Sequence, residues 1–536
     1  MPSRDRLEGG TANLRARCHG IVAATEYFGG EIQDAQTRFR EALDVLEGLS
    51  DADRDRVIQA TILANLGCVA ETKHDWAAAE QHHREALRLR RKIADARGVL
   101  QSLHALGRAR LGAGDRDDAE RHFTEAGQLA DSLGETLERA KIWHTRAELL
   151  LADGDATRAR ELATGALETF TQSRTRYDIT HARVTLSRAA RASGQEPLAI
   201  QQGALARSAV QVMGYGLLCV LYPADVFDLA GRIDGALTAY ACGDALGVPW
   251  ESNPGANVRA TASQIEQLPA REGWARGATS DDTALTLLVA RHLADRDGDG
   301  DPAAFLADLA AQEPAIRGLG PTTTAAIERF RRGDNTVGSR GRATNGAAMR
   351  ALPIGWVLPH DQAKRRRQVT IAMSRATHAD PAAVVAACVI AACGSWALEG
   401  ASPAMLLAAA AEEAREAAQA VTTEARLADL LGQVSAGTWE PPVGGISLDP
   451  YDTVAAALWC ATRATSLRNG LVSAVQLGGD TDTVAALAGG LIGCGLTAGQ
   501  ARAELPWHQL VIPPEPEAEI AETAAALATS RAIQSI

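Results

Sequence analysis

The chain has few of the features that mark secreted, membrane-bound or nucleic-acid-binding proteins. None of its eight cysteines forms a C-x-x-C pair, and most lie in apolar contexts, as reduced core cysteines of cytoplasmic proteins do. The start of the chain does not resemble a signal peptide, and no apolar run, 382–392 included, reaches the length of a membrane span. A formal charge of −12 argues against a general nucleic-acid binder. We therefore expect a cytoplasmic protein with no membrane partner.

Alternating β patterns are almost absent as well, whereas Ala-rich helical patterns interrupted by Gly and Pro are frequent. A chain of 536 residues is long enough for two or more domains with ample cores. The sequence therefore predicts an all-α protein with more than one domain.

The first part of the chain repeats itself with a step of forty residues. Fixed period, paired helices and small residues at the crossing positions define an α-solenoid. The pattern covers about 20–210 and resembles tetratricopeptide repeats in a version longer than the usual unit. The small residues that keep the step are Ala79, Ala119, Ala159 and Ala199 in one series, and Ala86, Ala126, Ala166 and Ala206 in the other.

Such arrays usually bind peptides or protein partners on a concave face. A purely structural arm or a dimerisation element is an equally good interpretation, because a fold alone does not carry function. A protein partner on the repeat arm is therefore one of two open expectations.

The forty-residue phase is lost around 211–225, which we interpret as a linker. It separates a repeat domain at 1–210 from a second all-α domain at 226–510. The remaining segment, 511–536, has a Pro-rich start and a short Ala-rich helix. We interpret that segment as a C-terminal tail appended to the second domain.

Two acidic motifs, 279–283 and 478–483, each begin an apolar helical run of the second domain. Either motif alone is more simply explained as a helix cap, because Ser, Thr and Asp are favoured there. The pair is harder to explain in this way, since like charges brought together repel unless a cation or a proton compensates them. Their oxygen-only ligands suit hard divalent cations, and two such ions can share a set this acidic.

Ordered motifs across the second domain resemble the ADP-ribosylhydrolases of the dinitrogenase-reductase-activating glycohydrolase type. Each motif is weak alone, but their order over nearly the whole domain makes the resemblance specific. The motifs are Gly231–Leu237, Gly243–Glu251, Gly273–Gly277, Ser280–Thr283, Thr344–Arg350, Thr377–Pro381 and Gly479–Thr483.

This resemblance implies a compact all-α fold with two Mg²⁺ or Mn²⁺ ions. It implies a role in catalysis or gating for Glu251, at the end of the Gly-Asp-x-x-Gly motif, and catalytic roles for Asp281 and Asp282. Ser280 stands where the family often has Thr, and its hydroxyl can still bind a metal. The implied metal ligands are Ser280, Asp281, Asp282, Asp480, Asp482 and Thr483.

Phosphate groups of a substrate should contact backbone amides in Gly-rich loops. The resemblance assigns the diphosphate loop to 341–346, and it places His378 near the adenosine or the phosphates. A second candidate loop ends at Gly320, where a plain turn is the alternative. A histidine like His378, taken alone, is more often a core or capping residue. The full set of implied substrate-binding residues is Gly320, Gly341, Arg342, Ala343, Asn345, Gly346, His378 and Gly479.

The function that the resemblance implies is metal-dependent hydrolysis of an ADP-ribosyl glycosidic bond. ADP-ribose would be released from a modified protein or another target recruited by the repeat arm. The alternatives are a non-catalytic ADP-ribose-binding scaffold and a hydrolase of a small ADP-ribose adduct. Some arginine-directed relatives carry an acid shortly before the Asn-Gly motif, and this chain does not. The linkage to arginine, serine, a nucleobase or a small molecule therefore stays open, with nucleic acid expected only as a modified substrate.

Overall fold

A computed structural model describes residues 4–223, 225–226, 228–251, 260–334, 343–512 and 514–534. The chain divides into two compact units, Met1–Phe227 and Asp228–Ile536. Across the described ranges both units are built from helices without a β-strand, and an isolated parallel bridge joins Ile446 to Gly479. The all-α fold predicted from the sequence is confirmed.

The first unit is a succession of antiparallel helix pairs. Most of its helices are 17 or 18 residues long, which explains why the repeat is longer than the usual tetratricopeptide unit. Its helices are α1 (Arg4–Gly29), α2 (Ile32–Glu47), α3 (Arg56–Thr72), α4 (Trp76–Lys92), α5 (Ala96–Gly112), α6 (Arg116–Leu133), α7 (Thr136–Ala152), α8 (Ala156–Ser173), α9 (Arg176–Ala192), α10 (Glu196–Met213) and α11 (Gly216–Leu221).

The periodic residues hold the pairs together. Both alanine series are buried where the two helices of a pair cross. At Gly107 the helices of a pair also approach closely, because an added Cβ would lie 2.4 Å from the Phe123 ring. Gly114 and Gly154 adopt φ values of 87° and 86° at the turns, a region that suits glycine, and the aspartates that follow them cap the next helix. The predicted repeat array is confirmed.

The second unit packs its helices around a shared apolar centre. They are α12 (Leu229–Gly247), α13 (Ala262–Ile265), α14 (Asp281–Ala294), α15 (Pro302–Gln312), α16 (Pro321–Arg331), α17 (Leu352–Val357), α18 (Ala363–Arg375), α19 (Pro381–Leu398), α20 (Pro403–Ala420), α21 (Arg426–Ala436), α22 (Pro450–Arg463), α23 (Leu467–Gln476), α24 (Thr481–Gly493), α25 (Ala498–Glu504), α26 (His508–Val511) and α27 (Pro514–Gln534).

The crossing of α12 and α24 positions the site described below. A Cβ at Gly243 would lie 2.2 Å from the Ala485 carbonyl oxygen, and one at Gly247 would lie 2.3 Å from the Asp482 Cα. Any side chain at these glycines would push the two backbones apart. The Gly-Asp-x-x-Gly motif on α12 therefore has its glycines where the start of α24 must come closest.

Two features of this unit differ from the sequence interpretation. Helix α19 has 18 residues with a mean hydropathy of 1.9, enough in length and composition to cross a membrane, but 83% of it is buried as a core helix. Helix α27 packs into the second unit rather than standing apart as a tail. Its Arg531 is buried and donates from Nη2 to Glu399 Oε1 at 2.6 Å and from Nη1 to the Gly355 carbonyl at 3.0 Å.

Candidate functional site

The two acidic motifs, some two hundred residues apart in the chain, meet in the second unit. Ser280 is the N-cap of α14, and Asp480 precedes the first residue of α24. The Ser280 hydroxyl lies 3.1 Å from Asp282 Oδ2, and the Thr483 hydroxyl donates to the same oxygen at 3.3 Å. The carboxylate of Asp282 thus contacts hydroxyl groups from both motifs.

Burial and mutual repulsion act on all four motif aspartates. Burial is the main cause that raises the pKa of Asp281 to about 7 and that of Asp480 to about 6. Burial also raises the pKa values of Asp282 and Asp482 well above the ordinary range, and neighbouring carboxylates add to both shifts. Because Asp282 and Asp482 retain protons most strongly, the whole set can be ionised at neutral pH only when cations compensate it.

A fifth aspartate, Asp244 on α12, organises the start of α14. Its carboxylate is fully buried and accepts from the Ser280 amide at 3.0 Å, the Thr283 amide at 3.1 Å and the Thr283 hydroxyl at 2.5 Å. Burial raises its pKa to about 6, although these hydrogen bonds lower it. Sequence reasoning assigned no role to Asp244, although it is the aspartate of the Gly-Asp-x-x-Gly motif.

Glu251 lies half-buried beyond the end of α12. Single carboxylate oxygens of Glu251, Asp480 and Asp482 lie within 4.8 Å of one another, close enough to share an ion. Glu251 also forms an ion pair with Arg271, which donates to the Val248 carbonyl at 3.2 Å and lies 5.1 Å from the centre of the Trp274 ring. The glutamate thus stands between the buried acids and a single arginine.

Part of the predicted diphosphate loop, Gly341 and Arg342, lies outside the described residues. Ala343 is half-buried, and the side-chain amide of Asn345 donates to Asp480 and, at 2.9 Å, to the Thr453 hydroxyl. The Asn345 backbone amide donates to the Leu448 carbonyl at 3.2 Å. The structure therefore uses these Asn345 groups to hold Asp480 and the neighbouring chain.

His378 and Gly346 lie against each other. A Cβ on Gly346 would be 2.7 Å from His378 Nε2, so the imidazole needs a glycine there. Burial lowers the His378 pKa to about 3, and Arg350 adds to the shift, so the ring is neutral at pH 7. The Thr377 hydroxyl accepts from Arg350 at 2.6 Å and lies 2.8 Å from His378 Nδ1. If that hydroxyl gives its proton to Nδ1, the Nε2 atom carries the ring proton and is the donor.

The two remaining predicted glycines also border the acidic group. The Gly320 backbone amide hydrogen-bonds to Asp281 and lowers its pKa, against the larger effect of burial. Gly479 has a φ of 81°, and a Cβ there would lie 2.0 Å from the Ile446 carbonyl oxygen. Gly320 thus helps to position Asp281, and Gly479 helps to position Asp480. This structural role is separate from the predicted substrate contact of either glycine.

Comparisons with known proteins find similarity in both parts of the chain. The sequence model of the family described as ADP-ribosylglycohydrolase matches residues 226–531, and that of the tetratricopeptide repeat matches 54–131. The uncharacterized protein YegU of Escherichia coli (strain K12) is 32% identical over 289 residues, 49% of this chain and 86% of that protein. The ADP-ribosyl-[dinitrogen reductase] glycohydrolase of Rhodospirillum rubrum is 29% identical over 270 residues, 49% of this chain and 84% of that protein. A solved structure titled ADP-ribosylglycohydrolase-related protein complex is 26% identical with a TM-score of 0.45, covering 56% of this chain and 98% of the other.

Proposed function

Because the chain belongs to the ADP-ribosylglycohydrolase family, it is a hydrolase of ADP-ribosyl glycosidic bonds, and we propose that its buried aspartates bind two Mg²⁺ or Mn²⁺ ions for this reaction. The observation that carries the proposal is the convergence of four buried aspartates, Asp244, Asp282, Asp480 and Asp482, with the half-buried Asp281 and Glu251. Their pKa values are raised by burial and by one another, so cations must replace protons before every aspartate of the group is ionised at neutral pH.

The donor set suits hard cations. Only oxygen atoms face the site from Ser280, Asp281, Asp282, Asp480, Asp482 and Thr483, and neither thiolate nor imidazole joins them among the described residues. When bound, such ions supply a water of lowered pKa and a grip on vicinal ribose hydroxyls.

The chain's own residues would then carry the remaining steps. Breaking a glycosidic bond at the anomeric carbon needs a water that loses a proton as it attacks and a leaving group that gains one. Glu251 is placed to accept the proton of the water, because it is half-buried beside Asp480 and Asp482. We assign Nε2–H of His378 and the backbone amides of Ala343, Thr344 and Gly346 to the adenosine and phosphate side.

We further propose that the substrate is a modified protein and that the repeat arm recruits it. Tetratricopeptide arrays are interaction modules, which supports a macromolecular target. A small ADP-ribose adduct as substrate is the competing proposal, with the arm used for assembly. Family membership favours either hydrolase over a non-catalytic scaffold.

The proposal is tested by measuring free ADP-ribose released from arginine-, serine- and nucleic-acid-linked substrates. We expect release with Mg²⁺ or Mn²⁺ and none in EDTA. Glu251→Gln should lower turnover by ~10²-fold or more while ADP-ribose still binds, since the variant keeps the shape and removes the base. The matched control is Glu272→Gln, an exposed glutamate nearby, which should keep full activity. Undiminished release in EDTA would refute metal dependence, and full activity of Glu251→Gln would leave that residue a structural role only.

A further inference from the structure

A second cluster of possible metal ligands lies in the repeat arm, far along the chain from the aspartates. It consists of His144 and Glu148, one turn apart on α7, and His181 on α9. One ligand atom from each residue lies within 4.8 Å of the others. Helix geometry puts His144 and Glu148 on the same face, because residues four apart are neighbours on a helix.

The distances are close to those of a coordinated ion. His181 Nε2 lies 3.4 Å from Glu148 Oε1. Ligands of a tetrahedral Zn²⁺ with bonds of about 2.0–2.1 Å are separated by about 3.3 Å. The ring centres of His144 and His181 are 4.4 Å apart with planes at 77°, and His144 would exchange its contact with the Thr185 hydroxyl for the ion.

The donor atoms are hydrogen-bonded within the arm. His144 Nε2 contacts the Thr185 hydroxyl at 2.8 Å, and the Tyr222 hydroxyl donates to Glu148 and lies 2.7 Å from His181 Nε2. The cluster offers two imidazole nitrogens and one carboxylate as ligands.

The preceding repeat shows what this scaffold looks like without the ligands. Forty residues earlier, His104 contacts the Thr145 hydroxyl at 2.9 Å, just as His144 contacts Thr185 at 2.8 Å. The residues at the other two equivalent positions are Arg108 and Lys141, both cations. The histidine is therefore common to both repeats, whereas the ligand set occurs in one of them.

We propose that His144, Glu148 and His181 bind a Zn²⁺ ion, with water at the fourth position. Mixed imidazole and carboxylate donors favour Zn²⁺ over the hard cations proposed for the aspartates. The Tyr222 hydroxyl, which is hydrogen-bonded to both His181 Nε2 and Glu148 Oε1, holds the position between them that the ion would take. The ion would cross-link α7 to α9 within the arm, independently of the hydrolase reaction.

The test uses the full chain, stripped with EDTA and dialysed against limiting Zn²⁺ with Mg²⁺ in large excess to occupy the aspartates. Bound zinc is measured by elemental analysis, and Co²⁺ replaces it as a visible-absorbance probe of nitrogen ligands. We expect His181→Gln and Glu148→Gln to bind about one Zn²⁺ fewer per chain than the wild type and to lose the Co²⁺ band. The control His104→Gln should match the wild type in both measurements.

Equal zinc content in the wild type and both ligand variants overturns the proposal, and so does a wild type that binds none under these conditions. An equal loss in His104→Gln would overturn it too, because that residue shares the scaffold but not the ligand set. Circular dichroism checks that each variant is folded, and Glu148→Gln retains a carbonyl acceptor for Tyr222. Failure here leaves the hydrolase proposal untouched, because none of these residues belongs to the second unit.

Discussion

The proposed chemistry of the second unit depends on individual carboxylates, and some of them are easier to recognise from the sequence than others. The four motif aspartates could be selected from the sequence, because hydroxyls and acids at two helix starts form a local pattern. Asp244 could not be selected in this way, because its partners Ser280 and Thr283 lie 36 and 39 residues further along the chain and come close only in the folded structure. The contact of Asn345 with Asp480, 135 residues away, was hidden for the same reason.

Asp282→Asn should have opposite effects on function and on the stability of the metal-free protein. With metal, loss of an anionic ligand should weaken Mg²⁺ or Mn²⁺ binding and reduce turnover by ~10²-fold or more. In EDTA the same change should raise the melting temperature, because asparagine is neutral without the proton that buried Asp282, with its raised pKa, must bind when the chain folds at neutral pH. Tryptophan fluorescence can follow this melting, since all of the nine tryptophans except Trp76 and Trp143 lie in the second unit.

Asp295→Asn is the matched control, because Asp295 is exposed at the other end of the same helix, α14. It should change neither turnover nor melting in EDTA. A lower melting temperature of Asp282→Asn in EDTA would show that protonating the buried Asp282 costs less stability than its hydrogen bonds provide.

The pH dependence of stability should reveal the same group. Asp281 and Asp480 have folded pKa values of about 7 and about 6, both above the unfolded value of about 3.9. Between the unfolded pKa and the folded pKa values, the folded state therefore binds more protons than the unfolded state. The stability that these protons add is fully present below the unfolded pKa and is lost as the pH rises through the folded pKa values of Asp480 and Asp281. In EDTA the free energy of unfolding of the second unit should fall from pH 4 to pH 7. Saturating Mg²⁺ should remove this slope, and an identical slope with and without Mg²⁺ would contradict the prediction.

At the scale of helices, periodic features were predictable and packing partners were not. The forty-residue step marks every repeat because each helix pair needs small residues at its crossing. The Ala-rich pattern of α27 predicts a helix but not its place, since the contact of Arg531 with Glu399 joins residues 132 positions apart. The interpretation of this segment as an appendage failed for that reason.

Gly247→Ala should damage the site through the crossing of α12 and α24. The new Cβ would lie 2.3 Å from the Asp482 Cα, so a backbone and not a flexible side chain must move. We expect a loss of about 1–3 kcal/mol or more in the stability of the second unit, together with weaker Mg²⁺ binding. Chemical denaturation and metal titration measure the two effects.

The control for this change is Gly499→Ala on α25, where an added Cβ meets nothing within 4 Å. That variant should be neutral or slightly stabilising, because alanine favours a helix by about 0.5–1 kcal/mol over glycine. Equal effects of the two substitutions would show that α24 can shift without cost.

At the scale of the whole molecule, the two units have separate cores and separate proposed tasks. A chain truncated to begin at Pro223 should fold, bind Mg²⁺ and bind ADP-ribose as tightly as the full chain, because no proposed hydrolase residue precedes Asp244. It should lose turnover of a modified protein target while keeping turnover of a small adduct. Calorimetry with ADP-ribose and turnover assays on both substrates make the comparison.

A truncated chain that folds but does not bind ADP-ribose would mean that the arm completes the binding pocket. Undiminished turnover of a protein target would instead remove the recruiting role of the arm.

The crossing of α12 and α24 also has a consequence for how the protein is made. The Thr481 hydroxyl bonds to the Gly247 carbonyl across 234 residues, whereas each repeat of the arm contacts mainly its sequence neighbours. During synthesis on the ribosome the arm can therefore fold pair by pair as it emerges. Helix α12 cannot pack against α24 until more than two hundred further residues have been translated, and its glycine-lined surface has no packing partner during that time. High contact order of this kind slows folding and exposes apolar surface to aggregation, so the hydrolase unit should depend on chaperones more than the arm does.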